Sequence, residues 1–98
     1  MNMQNLMAQA QKMQRDMMKK KEEINNQIFT GKSEWVEVSF NGGKELVSIN
    51  IKKDNPIAKE DIEILEDMVK IAIKDALTKV EKEIKEKMGA MGELSGLI

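Results

Sequence analysis

The sequence predicts an α+β protein in which a small antiparallel β-sheet lies between two long helices. Three patterns support this fold class. Apolar residues recur every three or four positions over residues 3–27, which is typical of an amphipathic helix. They alternate with polar residues on both sides of Asn41-Gly42, as in the strands of a hairpin, and return to helical spacing over residues 62–88. The 98 residues are few enough for one domain, 1–98.

Residues 1–27 are expected to form a helical arm, with regular helix over residues 3–27. Its apolar stripe is heptad-like and rich in methionine, a side chain that fills irregular gaps between packed helices. The stripe consists of Met3, Leu6, Ala10, Met13, Met17 and Ile24. We interpret it as a buried seam, and an exposed, promiscuous binding face is the alternative.

Residues 28–53 are expected to form the sheet. Apolar and polar residues alternate over 36–40 and over 47–52, which is the period of half-buried strands. Between them, Asn41-Gly42 predicts a two-residue turn in which both residues have positive φ. A short strand near residues 28–30 completes three antiparallel strands with one apolar face. Trp35 lies outside that face, either as a strand-end anchor or as an exposed contact.

The second long helix is expected over residues 56–88. Asn55 is the predicted N-cap and Pro56 the first helical residue, with regular helix from about Glu60 after one irregular turn. Gly89 is the predicted C-cap, and small residues after it predict a flexible tail over 89–98.

The length of this helix favours a homodimer. The regular helix over residues 61–88 spans about 42 Å, whereas a compact globule of this chain is only about 34 Å across, so one end of the helix overhangs the sheet. The first half of the helix also has a second apolar row, formed by Ile64, Met68 and Ile71. We predict that these three residues lie in the dimer interface.

Composition excludes several classes of site. The chain has no Cys and no His, so it lacks a thiolate, the usual general base near neutral pH and the commonest metal ligand. No Gly-rich phosphate loop of recognised spacing is present. We expect no enzyme activity, no catalytic residue, no cofactor and no small-molecule substrate.

Acidic residues cluster at the start of the second helix, at Glu60, Asp61, Glu63, Glu66 and Asp67. Such carboxylates can bind a metal, but acids in a first turn also complement the helix dipole, and we therefore predict no metal site. No apolar run reaches the roughly 20 residues that span a bilayer, and the N-terminus lacks a signal-peptide pattern. We expect a cytoplasmic protein without a membrane partner.

The formal net charge is −1, so the chain as a whole is no polycation. Its basic residues nevertheless form two groups, one on each helix, and local groups matter more to phosphate binding than the total charge. The candidates for nucleic-acid contact are Lys12, Arg15, Lys19, Lys20 and Lys21 on the first helix, and Lys79, Lys82, Lys85 and Lys87 on the second. The second group alternates with acids and is equally typical of a solvated helix face.

Several segments recur in a characteristic order along the chain. They are the Met- and Gln-rich opening 3–17, Thr30-Gly31, Val36-Glu37-Val38, Asn41-Gly42, the stretch DIEILEDMV at 61–69, Lys74-Asp75-Ala76 and Glu86-Lys87-Met88. In their order and spacing over about 90 residues, these segments resemble the YbaB/EbfC family of small bacterial nucleoid-associated proteins.

The resemblance implies a tweezer-shaped homodimer whose helical arms bind double-stranded DNA in the nucleoid. Two segments depart from the family pattern. Ser33-Glu34-Trp35 replaces a Gly-rich stretch, and 91–96 lacks the usual Gly-Gly and Pro-Gly tail. Because the sequence has no strong signature of base recognition, we expect phosphate contacts through the basic arms with little sequence specificity. The alternatives are a protein-interaction or holdase-like helical module and, more remotely, a carboxylate metalloenzyme.

Overall fold

A computed structural model describes the backbone of residues 2–94 and the side chains of residues 2–89. The elements follow in the order α1 (Met3–Asn26), β1 (Ile28–Lys32), β2 (Val36–Asn41), β3 (Leu46–Ile51), a 3₁₀ turn (Lys59–Asp61) and α2 (Ile62–Leu94). This order confirms the predicted α+β class. The molecule measures 71 × 18 × 15 Å. Its radius of gyration is 19.2 Å, well above the value of about 13 Å for a compact domain of this size.

The core lies where α2 crosses the sheet. The three strands are antiparallel in the order β1-β2-β3, and the central strand buries Val36, Val38 and Phe40 on the side facing α2. Opposite them, Ala72 and Ala76 on α2 are fully buried. Because alanine side chains are small, the backbone of α2 comes unusually close to the backbone of the sheet.

Gly31 on β1 shows how close they come. A Cβ atom at this position would collide with the carbonyl oxygen of Ala72 and the backbone nitrogen of Ala76, and would lie 2.8 Å from the Cβ of Ala76. The Thr30-Gly31 pair that marks the family resemblance therefore has a packing reason, since only glycine fits between β1 and α2.

The two edges of the sheet differ. At β1, the backbone N–H of Lys32 donates to Asp75 Oδ2 at 3.0 Å, and Lys79 Nζ donates to the carbonyl oxygen of Thr30 at 2.7 Å. These α2 side chains occupy edge groups that would otherwise be free to pair with another strand. Within the described residues α2 does not reach β3, whose edge has no such cover.

The predicted apolar face is therefore only partly buried. Strand register places Ile49 opposite Val38 and Ile51 opposite Val36, on the side of the sheet that faces α2. Both isoleucines are nevertheless exposed, as are Leu46 and Val47. One helix covers about two strands, because helices pack about 8–10 Å apart and strands about 4.8 Å apart, and the third strand stays open.

The hairpin turn differs from the prediction. Asn41 and Gly42 do not have positive φ; the left-handed residue is Lys44, at φ 64°. The N–H of Lys44 donates to the carbonyl of Asn41, and the N–H of Asn41 donates to the carbonyl of Glu45, both at 3.0 Å. This is a three-residue loop closed by a left-handed residue. The pairing of β2 with β3 is irregular between Ser39 and Phe40 of β2.

The α1 stripe is buried only near its end. Asn2 caps the helix by accepting a hydrogen bond from the N–H of Asn5 at 2.9 Å. Ile24 is buried and Met17 is half-buried, whereas Met3, Leu6 and Met13 are exposed. The prediction of a buried seam over the whole helix is therefore wrong for a single chain, because residues 3–16 of α1 are exposed.

The start of α2 also differs from the prediction. Asn55 does not cap a helix and Pro56 does not begin one; Ala58 precedes the 3₁₀ turn, and its N–H donates to Asp61 Oδ2 at 3.0 Å. The expectation of regular helix only after an irregular turn is confirmed, since α2 begins at Ile62.

At the other end, Gly89 leaves the helical region with φ 54° and ψ −142°. Its positive φ is typical of a glycine that ends a helix, but its ψ lies outside the left-handed helical region, and the backbone beyond it is again helical as far as Leu94. The flexibility of the tail over 89–98 stays a prediction. Residues 95–98 of that tail lie outside the described residues.

Trp35 anchors the segment that connects β3 to α2. It is half-buried and packs against the core, and Lys53 Nζ lies 5.1 Å from its ring centroid. The same ammonium lies 3.4 Å from Asp61 Oδ2 and donates to the carbonyl of Pro56 at 3.2 Å. The hydrogen bond from Ala58, followed by these contacts with Lys53, lowers the pKa of Asp61. Trp35 is thus a strand-end anchor rather than an exposed contact.

Candidate nucleic-acid interface

The basic residues of α1 lie on an exposed helix. Helical spacing of three and four places Lys12, Arg15 and Lys19 on the side away from the buried Ile24. A shallow surface depression is lined by Arg15, Met18, Lys19, Lys21, Glu22 and Asn25. Lys12, Arg15, Lys19, Lys20 and Lys21 form no ion pair within the part of the chain that the structure describes. Their charges are therefore available to an anionic partner.

Lys20 faces a different direction from its neighbours. Together with Met13, Asp16 and Met17 of α1, it lines a crevice that α2 completes with Lys87 and Met88. The structure thus brings together one member of each predicted basic group, where the two helices meet. Asp16 lies in the same crevice and partly offsets the positive charge of this pair.

The α2 group is less uniform. Lys82, Lys85 and Lys87 are exposed, and none forms an ion pair with a described residue. Lys79 is different, because its ammonium donates to the carbonyl of Thr30 and lies 3.5 Å from Asp75 Oδ2. Lys79 thus caps the exposed edge of β1, a role that the spacing of residues in the sequence did not predict.

Asp75 connects this cap to the sheet. The hydrogen bond from the backbone N–H of Lys32 lowers the pKa of the Asp75 carboxyl, and the nearby Lys79 ammonium lowers it further. On the opposite side of the sheet, a hydrogen bond from Lys52 at 2.8 Å similarly lowers the pKa of Glu37. Asp75 therefore links α2 to β1, whereas Glu37 links β2 to the residue that follows β3.

An apolar surface occupies the sheet end of the molecule. Of the residues predicted for a dimer interface, Ile64 and Ile71 are 44% and 52% exposed, and Met68 is half-buried against the core. β3 also contributes to this surface, since Leu46, Ile49 and Ile51 are about as exposed, and this contribution was not predicted. Their alternation was visible in the sequence, but the limited width of the covering helix was not.

Other kinds of site find little support in the described residues. There, no group of three or more Asp or Glu side chains is arranged to hold a metal ion. Among the helices so described, none combines the length and apolar character needed to cross a membrane. The acids at the start of α2 include Asp61, which caps the 3₁₀ turn as described above.

Two long helices flank a small sheet, and exposed basic residues lie along an extended helical arm, which is the architecture of a small α+β binding protein. A sequence profile of the YbaB/EbfC DNA-binding family matches residues 1–95. The chain therefore belongs to the YbaB/EbfC family, which is a DNA-binding family and not a family of enzymes.

Proteins of similar sequence are named nucleoid-associated proteins. The chain is 48% identical over 91 residues to a nucleoid-associated protein of Lactococcus lactis subsp. cremoris, covering 91% of both chains. It is 49% identical over 92 residues to a nucleoid-associated protein of Streptococcus agalactiae, covering 92% of both. The crystal structure of an uncharacterized protein from Helicobacter pylori matches with a TM-score of 0.72 and 30% identity, covering 88% of this chain and 91% of that one.

Proposed function

We propose that the protein is a homodimeric, nucleoid-associated DNA-binding protein of the bacterial cytoplasm that contacts DNA phosphates through its basic arms. One observation carries the proposal. The five basic side chains of α1 lie on an exposed helix and form no ion pair with any described residue. Membership of a DNA-binding family supports the same partner. The exposed residues Lys82, Lys85 and Lys87 extend the surface onto α2.

Binding of this kind follows from electrostatics. Lysine and arginine neutralise phosphates and release counterions, so affinity falls with added salt. Phosphate contacts position a protein on the duplex without reading bases, and we therefore propose little sequence specificity. A dimer presents each basic group twice, which compensates for the net charge of −1 of one chain.

A gel-shift assay with duplex DNA over a salt series tests the proposal. If six to ten phosphates are contacted, affinity falls roughly 10³–10⁵-fold between about 50 and 200 mM salt. Duplexes of unrelated sequence should differ little in affinity. Absence of binding even at low salt would reject the proposed function.

The dimer is proposed from the apolar surface at the sheet end. We place Ile64, Met68 and Ile71 in the interface, together with the exposed residues of β3 that lie on the same side of the sheet. Large apolar side chains that remain exposed beside one another are typical of a protein interface. Sedimentation equilibrium at micromolar concentration should give twice the chain mass, and a folded monomer would contradict the assignment.

A holdase-like or protein-interaction role is the second candidate, and one observation favours it. Met3, Leu6 and Met7 are exposed at the tip of α1, where flexible apolar side chains can contact another protein. Salt separates the two functions, since DNA binding weakens with salt whereas apolar contacts do not. Suppression of aggregation that is insensitive to salt, without DNA binding, would support this second role.

A further inference from the structure

The hairpin loop lies beside the basic surface of α1. A crevice of about 260 Å³ separates the end of α1 from the loop and from α2. Its rim contains Lys21 and Asn25 of α1 and Gly42, Gly43 and Lys44 of the loop. Lys21 and Asn25 also line the depression that holds Arg15 and Lys19, so the two concave surfaces are continuous.

The loop is packed tightly onto α1. A Cβ atom at Gly42 would collide with the carbonyl oxygen of Ile24 and lie 2.7 Å from its Cγ2 atom. A Cβ at Gly43 would lie 3.8 Å from Oδ1 of Asn25. The backbone of the loop, which forms one wall of the crevice, is therefore fixed by its packing against α1.

The chemistry of the crevice suits an anion. The backbone N–H groups of Gly42 and Gly43 donate no hydrogen bond to any described residue. Lys21 and Lys44 supply positive charge on either side. Free loop N–H groups beside ammonium groups are a recurrent way of holding phosphate in proteins.

Lys44 also occupies an unfavourable backbone position. Its φ is 64°, in the left-handed region where glycine or asparagine is usual and a long side chain is disfavoured. A lysine at this position lowers the local stability but places a cation at the mouth of the crevice. Residues that break a local rule in this way concentrate at functional sites.

Two acidic residues, Glu81 and Glu45, lie beside the crevice, and both are exposed to solvent. Lys44 Nζ lies 3.9 Å from Glu81 Oε1, the upper limit of an ion pair, and both side chains are well exposed. A pair of this kind contributes little and separates easily when a phosphate approaches. The carboxylate of Glu45 is also close, since its Oε1 would lie 3.8 Å from a Cβ at Gly43, but Glu45 is an exposed loop residue whose charge solvent screens.

We propose that this hairpin crevice binds a phosphodiester group of the DNA backbone, with Lys44 and Lys21 as its cationic contacts. The site continues the path of Arg15 and Lys19 from the arm onto the sheet. The proposal rests on the proposed DNA-binding function and adds to it a contact on the loop, where the sequence analysis expected only a turn.

Lys44→Gly gives a distinctive test because its two effects have opposite signs. Glycine relieves the left-handed strain, so the melting temperature should stay the same or rise. DNA affinity should fall several-fold, and the salt slope should decrease by about 2 for a dimer in which each chain neutralises one phosphate fewer. Lys44→Asn should behave alike, whereas Lys44→Arg should keep parental affinity.

Lys70→Gln is the matched control, since it removes one exposed charge of α2 outside the crevice. It should leave affinity and slope close to parental. Parental affinity and slope in Lys44→Gly, in a folded protein whose parent binds DNA, would overturn the crevice proposal alone. A parent that binds no DNA would instead reject the proposed function.

Inorganic phosphate distinguishes DNA from a free anion as the ligand. At constant ionic strength, replacing chloride by phosphate should leave the difference in affinity between parent and Lys44→Gly unchanged. Loss of that difference at low phosphate concentration would show that the crevice binds the free ion in preference to the duplex, and would overturn the proposal.

Discussion

The sheet end and the arm of this molecule present opposite surfaces, although α2 belongs to both. At the sheet end, helix and strands pack so closely that Gly31 and Ala72 are required, yet Ile64, Ile71 and the residues of β3 remain exposed. Along the arm, α1 buries only Ile24 and exposes its charges. We infer from this contrast that folding and self-association depend on one end and DNA contact on the other, so substitutions should separate them.

The largest effect is expected at Gly31. Gly31→Val should destabilise the fold by about 4 kcal/mol or more, because the side chain would have to push β1 away from the backbone of α2. Thermal and urea unfolding followed by circular dichroism measure the change.

Gly43→Ala is the matched control for this substitution. Its Cβ would meet nothing closer than 3.3 Å, and its φ is not positive. This contact requires only a small shift of the Asn41 side chain, so the free energy of unfolding should change by less than about 1 kcal/mol. Equal effects at the two glycines would show that the close approach of β1 and α2 does not limit stability.

The next effect concerns association. Ile71→Asp should weaken the dimer by about 3 kcal/mol, on the order of 100-fold in dissociation constant, because a carboxylate would be buried without a partner. The protomer itself should stay folded, since Ile71 is 52% exposed in the single chain. Sedimentation velocity over a concentration series measures the shift.

Met7→Asp provides the comparison, because Met7 is similarly exposed but lies on the arm. It should leave the dimer intact. If Met7→Asp dissociates the dimer and Ile71→Asp does not, the interface lies on the arms and the division of roles between the two ends is wrong.

The features of the fold that the sequence predicted well are those that produce a regular local pattern of residues. The order of elements, the three strands and the helix break at Gly89 follow from local spacing and from residues with special backbone preferences. The partial burial of β3 and the exposed half of α1 depend on how far each element extends past its neighbour. Local periodicity shows which face is apolar, but not whether anything covers that face.

The candidate site was predictable to a similar degree. The basic residues of α1 could be identified from composition, because exposed charges need no partner to be recognised. The role of Lys79 as a cap on Thr30 could not, since residues 49 positions apart meet only after folding. Lys44 was missed because Asn41-Gly42 favours a two-residue turn, whereas contact with Ile24 accompanies a longer loop that shifts the left-handed position onto the lysine.

A third prediction compares the two basic groups. Changing Lys19, Lys20 and Lys21 together to Gln should reduce DNA affinity by at least about tenfold and lower the salt slope by about 0.9 for each phosphate that is no longer neutralised. Gln preserves helix propensity, so α1 should remain folded. Lys82, Lys85 and Lys87 changed to Gln should have a smaller effect, because acids alternate with them along α2.

Both triple variants should keep the parental sedimentation coefficient and helix content. Gel-shift titrations at several salt concentrations give the affinities and slopes. An α1 variant that folds normally and binds DNA as tightly as the parent would exclude α1 as the contact surface. A larger loss of affinity in the α2 variant would reverse the order of the two groups.

The smallest effect is a pH dependence at the β1 edge, where α2 caps the sheet. The pKa of Asp75 is lowered from its ordinary value of 3.8, first by the hydrogen bond from the N–H of Lys32 and then by Lys79. A carboxyl whose pKa is lower in the folded state stabilises that state above its unfolded pKa. The contribution is lost as pH falls through the lower, folded pKa. Since the group is exposed, it amounts to less than about 1 kcal/mol.

Asp75→Asn should therefore melt slightly below the parent at neutral pH, and the gap should narrow as pH falls below about 4. Asp61 and Glu37, whose pKa values are also lowered, titrate in both proteins, so the difference isolates Asp75. Glu86→Gln is the control, because Glu86 is exposed and forms no hydrogen bond or ion pair with a described residue. A gap that stays constant with pH would mean that the carboxylate charge does not contribute to the cap. DNA binding at neutral pH should be unchanged in Asp75→Asn, because this contact holds the sheet to α2 and lies outside the surface that we assign to DNA.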